Sequence, residues 1–171
     1  MLLKDDIANW DSKDTKHIKR VYATHYEQQG FHEFLISLFP SIDHQDGATW
    51  LLKHAIDSGD LVPESIDPVF IENMCTTLES LIAWPAQLHV LQILTVVLFP
   101  DSCADPVEDF ARSCMNSKKT FVRAWSHSVL YSATRNDPSK HKATIDLLEA
   151  TLHSNSTPAS VKARIRNTLK S

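Results

Sequence analysis

The stretch NSKKTFVRAWSHSVL, Asn116–Leu130, returns as NSTPASVKARIRNTL, Asn155–Leu169. Both begin Asn-Ser, both carry Val, a cation and Ala in succession, and both end in Leu. The offset is 39 residues throughout: Asn116 to Asn155, Val122 to Val161, Leu130 to Leu169. A second marker has nearly the same period, since Asp67-Pro68-Val69 comes back as Asp105-Pro106-Val107, 38 residues on. Interleaved markers with a period near 40 predict stacked helix pairs, because a unit of that length buries its apolar face only against its neighbours. Taking Ala48, Ala86, Val122 and Val161 as equivalents gives steps of 38, 36 and 39. Each is followed eight residues later by an apolar residue: Ile56, Leu94, Leu130 and Leu169.

Start and stop signals place the helices between these markers. Asp11, Ser12 or Asp14 can cap a helix carrying Ile18, Val21, Tyr22 and Tyr26 at helical spacing, with Gly30 as its stop. FHEFLISLFP reads as a short apolar helix closed by Pro40. A further helix runs from about Asp46 to Gly59 with Trp50, Leu51 and Ile56 in it, and DLVPES is a connection. Asp67-Pro68 and Asp137-Pro138 have the cap-then-Pro order of helix starts, since a Pro in the first turn lacks only an N–H that has no partner there. The helix from Pro85 is expected to reach Pro100. About nine helices follow, with no hairpin signal, and the expected fold class is all-α in a single domain over 1–171.

VRAWSHSVL and VKARIRNTL resemble the second helix of a HEAT repeat, where Val-Arg, a small residue and Leu recur, and an Asp-Pro start to the first helix is also common in that family. The resemblance implies a right-handed α-solenoid of about four HEAT-like helix pairs (31–59, 67–99, 105–134, 137–170), plus an N-terminal helix at 12–29. It also implies that the second helices line the concave surface.

Composition narrows the function classes. Hydrophobic residues make up 43% and charged residues 22%, an ordinary globular balance. There are three glycines, and neither GxGxxG nor GxxxxGK[ST] occurs, which disfavours the standard nucleotide-binding loops. MLLKDDIANW meets two acids after its short apolar start, unlike a secretory signal. The longest mostly apolar run, Leu88–Phe99, contains Gln92 and falls short of the roughly 20 residues a membrane-spanning helix needs. Cys75, Cys103 and Cys114 lie in no CxxC pair and are read as reduced thiols of a cytoplasmic protein. The net charge of −4 hides a split. Residues 1–110 hold 6 Lys/Arg against 18 Asp/Glu, and residues 111–171 hold 11 against 3. Such a chain can associate with itself electrostatically, acidic end to basic end, or meet an acidic partner at the basic end.

The candidate site is a basic ladder. Lys119, Arg123 and His127 are spaced i, i+4, i+8, as are Lys162, Arg166 and Lys170, and the 39-residue register sets Arg123 against Lys162 and His127 against Arg166. Lys53 takes the matching place in the first pair, and Leu91 interrupts the row. If the second helices stack in parallel, the cations form a strip for an acidic helix, a phosphorylated segment or a nucleic-acid backbone. The competing reading has Arg123 binding turn carbonyls and the terminal cations simply solvating the end of the stack. His25, Glu27, His32 and Glu33 lack HExxH spacing and straddle Gly30, so they are read as surface or half-buried side chains. Trp50 and Trp125 are expected in the core between repeats. No cofactor is expected. The leading function is a non-catalytic protein-binding scaffold. The alternative is a nucleic-acid-binding protein or an enzyme like the HEAT-like alkylpurine DNA glycosylases, which use aromatic residues and an Asp in a cationic groove; no Asp here matches theirs by motif.

Overall fold

The computed structural model describes residues 3–171. Among them the chain is all-α, with ten helices and no strand. They are α1 Leu3–Ala8, α2 Thr15–His25, α3 Phe31–Ser37, α4 Gln45–Ser58, α5 Pro68–Cys75, α6 Trp84–Leu94, α7 Ala104–Cys114, α8 Thr120–Thr134, α9 Pro138–His153 and α10 Ala159–Thr168. Short 3-10 turns at Pro63–Ser65, Leu78–Ser80 and Asp101–Cys103 join some of them. Among the described residues no helix is long and apolar enough to cross a membrane.

Several boundaries follow directly from cap chemistry. The Asp14 carboxylate accepts from Lys16 N and His17 N (2.9 and 3.2 Å), Asp67 from Val69 N, and Asp137 from Ser139 N and Lys140 N. Each holds orphan amides of a first turn, and Pro68 and Pro138 follow two of these caps. Gly59 ends α4 with φ +82°, a left-handed conformation that Gly adopts without a Cβ clash. Gly30, expected to stop α2, sits at φ +76° immediately before α3 and serves as the cap of the next helix.

Other boundaries depart from the reading by periodicity. Asp105 is not a cap: the turn Asp101–Cys103 runs straight into α7, so Asp105 falls inside its first turn and pairs with Lys140 at 2.7 Å. α5 stops at Cys75, where the Thr76 and Thr77 hydroxyls turn back onto the Asn73 and Met74 carbonyls (2.7 Å each). α6 stops at Leu94, well short of Pro100, at the β-branched run Thr95-Val96-Val97. α1 lies where no helix was expected. Six residues do not hold a helix in isolation, and tertiary contacts fix this one. Ile7 is buried, and it lies so close to Gly47 that a Cβ there would come within 2.7 Å of its Cγ2. Asp6 is within 3.4 Å of the buried His25 ring.

The helices α4, α6, α8 and α10 touch in that order, each against the next. Behind them α3 packs on α4, α7 on α8 and α9 on α10, while the short α5 leans on α3 and the turn 101–103. One hydrophobic core runs from Ile7 to Ala133. A smaller cluster of Ala124, Leu148, Val161 and Ile165 closes the C-terminal end.

Gln45, 1% exposed, ties α4 to the turn before α6. Its amide donates to Ser80 O (2.7 Å) and accepts from Ile82 N and Ala83 N (3.1 and 3.0 Å), fixing the turn that leads into α6. Truncating Gln45 to Ala leaves those backbone groups unpaired in a partly buried turn, at an expected cost of about 2–3 kcal/mol. Urea unfolding checks this: the midpoint should fall with an unchanged slope, and a loss below about 0.5 kcal/mol, the usual size of a surface change, would show that the clamp is dispensable.

Candidate functional site

The basic ladder is not assembled as a strip. Lys119 precedes α8, and its ammonium sits 4.8 Å above the ring of Trp84, which begins α6. Arg123 turns back onto its own approach turn and donates from Nη1 to Ser117 O (2.6 Å) and from Nη2 to Thr120 Oγ1 (3.4 Å). It therefore does what the competing reading assigned to it. His127 is 4% exposed, between neighbouring helices, with Nδ1 donating to Arg123 O at 2.6 Å. Burial pushes its pKa down, so it is neutral and offers no charge to a partner. Lys162 is partly exposed, and Arg166 and Lys170 are exposed. Among the described residues these three make no ion pair.

The reason is angular. A helix turns 100° per residue, so an i, i+4, i+8 row drifts 80° around the axis. Leu91, His127 and Arg166 hold one position in α6, α8 and α10; the first two are buried and Arg166 is exposed.

The solvent-facing strip of α4, α6 and α8 carries different residues. Two adjoining clefts run along α4, α6 and α8. One, of about 220 Å³, is lined by Trp50, Lys53, His54 and Asp57 from α4 and by Leu88, His89 and Gln92 from α6. The other, of about 370 Å³, shares Lys53, Asp57 and Gln92 and adds Ile56, Ile93, Val96 and Trp125. Trp50 with His89, Lys53 with Gln92 and Asp57 with Val96 are each 39 residues apart. On this spacing Gly47, not Ala48, matches Ala86. Trp125 and Arg164 continue the row: the Arg164 guanidinium lies 3.5 Å from the Trp125 ring centroid. Both Trp50 and Trp125 are partly exposed, not enclosed between repeats as expected.

Polar groups in the groove are held by local bonds. Lys53 and Asp57 form an i, i+4 ion pair. His54 stacks on Trp50 (4.8 Å between centroids) and meets Tyr22 edge-on at 4.8 Å. The Thr49 hydroxyl donates to Gln45 O at 2.7 Å, so at the 3.0 Å contact with His89 it is Nδ1 that donates. Neutral His89 keeps its Nε2 lone pair as an acceptor. Burial, with a smaller push from Lys53, lowers its pKa to about 4. His25 and His32, neighbours in sequence, have separate surroundings: His25 bonds Gln28 at 2.9 Å and approaches Asp6, and the His32 Nε2 is buried without a partner.

The cation spacing that defines the ladder does not point to Lys53 as a groove residue, nor to His54, Asp57, Leu88, His89 and Gln92. Applying the 39-residue offset of the C-terminal copies to Trp50 would have reached His89 and exposed the row. No known protein family matches this chain, and no curated protein or solved structure matches it either.

Two outcomes are expected. Arg123→Glu should cost about 1.5–3 kcal/mol, because the guanidinium holds a turn carbonyl, while Arg166→Glu should stay within about 0.5 kcal/mol; thermal melts of the two variants compare them. The His89 pKa is depressed in the fold, so between its unfolded value near 6.5 and about 4 the unfolded chain binds the extra proton. Its contribution is complete above pH 6.5 and is lost as pH falls to about 4, on the order of 3 kcal/mol. The stability difference between wild type and His89→Gln, measured by urea unfolding across that range, should shift in that direction; a pH-independent difference would refute it.

Proposed function

We propose that the chain is a right-handed, HEAT-like α-solenoid of about four helix pairs and works as a non-catalytic protein-binding module through its second-helix face. The serial contact of α4, α6, α8 and α10, and the 39-residue step between side chains sharing a cleft, support the repeat reading. The observation that carries the binding reading is the pair of adjoining clefts. They have an apolar floor of Leu88, Ile56, Ile93 and Trp125 between polar groups already oriented by bonds of their own. Such a groove takes an extended or helical segment whose apolar side chains enter it. Beyond Trp125 the Arg164 guanidinium over the ring makes that end of the face cationic. An acidic or phosphorylated residue next to the partner's apolar anchor fits that end. The three free, buried cysteines fit a reducing cytoplasm.

A second reading has one specific observation in its favour. Asp57 lines both clefts, between Trp50 and Trp125, which is the residue combination of the HEAT-like alkylpurine DNA glycosylases. Its carboxylate is paired with Lys53, however, and the groove around it is not cationic.

Peptides selected from a random phage-displayed library on the folded protein test the first reading. Their affinity for Trp125→Ala should fall at least about tenfold, with amide shifts centred on α4, α6 and α8. Selected peptides that bind the variant unchanged would remove the groove from the function. Titration with a short duplex DNA at about 50 and 200 mM salt decides the second reading, because phosphate contacts make affinity fall steeply between them. The protein-binding reading expects no complex at either salt concentration.

A further inference from the structure

A cleft of about 570 Å³ opens between the turn Leu78–Ser80 and α7, away from the groove. Leu78, Leu81 and Phe110 give it an apolar floor, and Glu79, Asp105 and Asp109 line it; no Lys or Arg does. Asp105 is engaged by Lys140, but Glu79 and Asp109 are exposed and make no ion pair among the described residues. An apolar patch of opposite sign adjoins this cleft. Leu81 lines the cleft, and the next residue, Ile82, is 68% exposed. Trp84 is 44% exposed beneath Lys119, and Phe121 is 64% exposed beside the exposed Lys118 and Lys119. On the other wall Ser113 leads through the turn 115–119 to the same two lysines.

We propose that this face is the interface of a two-fold homodimer, in which the lysine–aromatic patch of one protomer covers the acidic cleft of its partner, and the reverse. In an isologous interface every contact occurs twice with the roles exchanged, so the surface has to carry both complementary halves side by side. This one does. Exposed Trp and Phe are the anchor types that interface centres favour, and the charges set register and exclude the inverted pairing. The same charges argue against an anionic bilayer as the occupant: it would attract Lys118 and Lys119 but meet Glu79 and Asp109 close by. The association is lateral, not the acidic-end-to-basic-end contact suggested by the charge split. It leaves the second-helix groove open and stands independently of the function proposed for it.

The test is a charge swap read by sedimentation equilibrium. Wild type is expected to dimerise at low salt and to dissociate as salt rises. Lys118→Glu/Lys119→Glu alone and Glu79→Lys/Asp109→Lys alone should each be monomeric, because each homodimer would set like charges together. An equimolar mixture should regain the dimer mass, since both contacts of the heterodimer are again of opposite sign. Phe121→Ala should raise the dimer dissociation constant at least about tenfold. All these side chains are exposed, and circular dichroism verifies that the variants fold. A wild type monomeric at every concentration overturns the proposal. So does a dimer unaffected by both double variants, or one that mixing does not restore. Flotation of monomeric wild type with phosphatidylglycerol vesicles would assign the patch to a membrane instead.

Discussion

Helix α8 has to be buried on nearly every side, and much of the molecule is arranged around that constraint. α6 flanks it on one side and α10 on the other, with α7 and α9 behind. Residues 126–130 are buried without a break, including Ser126, His127 and Ser128. A polar group there needs a partner, and the helix supplies most of them: Ser126 Oγ donates to Arg123 O at 2.7 Å, and Thr134 Oγ1 to Leu130 O at 3.1 Å. Ser128 reaches across to Thr168 on α10 at 2.6 Å, a side-chain bond that also fixes how the two helices register. What remains open to solvent is a narrow strip, and that strip is where the candidate groove lies.

The parts of this arrangement that were legible in the sequence are those set by local chemistry or by repetition. The matched segments at 116–130 and 155–169 contain α8 and α10, and Asp-Pro at 67 and 137 mark the starts of α5 and α9, because caps and first-turn prolines act within a few residues. The illegible parts depend on contacts made at a distance. α1 exists because Ile7 finds Gly47. Gln45 appears in its sequence as an ordinary polar residue at a helix start, yet it holds three backbone groups some 35 residues away. Which face of α8 looks outward could not be read from the spacing of Lys119, Arg123 and His127. Spacing gives the angle between side chains but not the direction of the core, and only the neighbours of α8 decide that His127 lies inside while Trp125 lies at the surface.

Charge behaves in the same way. The excess of cations after residue 110 is real, but its members have different occupations. Arg123 is a brace for a turn, Arg112 and Lys140 neutralise Glu108 (2.8 and 3.0 Å), Lys119 and Arg164 lie on indole rings, and Lys162, Arg166 and Lys170 face water. A count of formal charge treats these as equal. In the folded chain the last group, the ring-stacked pair and the exposed Lys118, Arg135 and Lys142 are the ones presented to what lies outside it.

The two hydrophobic clusters have a consequence for how the molecule breathes. Only four buried residues make up the C-terminal cluster, whereas the main core runs from Ile7 to Ala133. Opening free energies within a native protein follow local buried apolar contact, so α9 and α10 form a foldon at one end of the row whose opening costs less than opening the main core. The Arg164 guanidinium rides on that foldon while the Trp125 ring belongs to α8. A ligand that bridges Trp125 and Arg164 would draw part of its free energy of binding into closing that end.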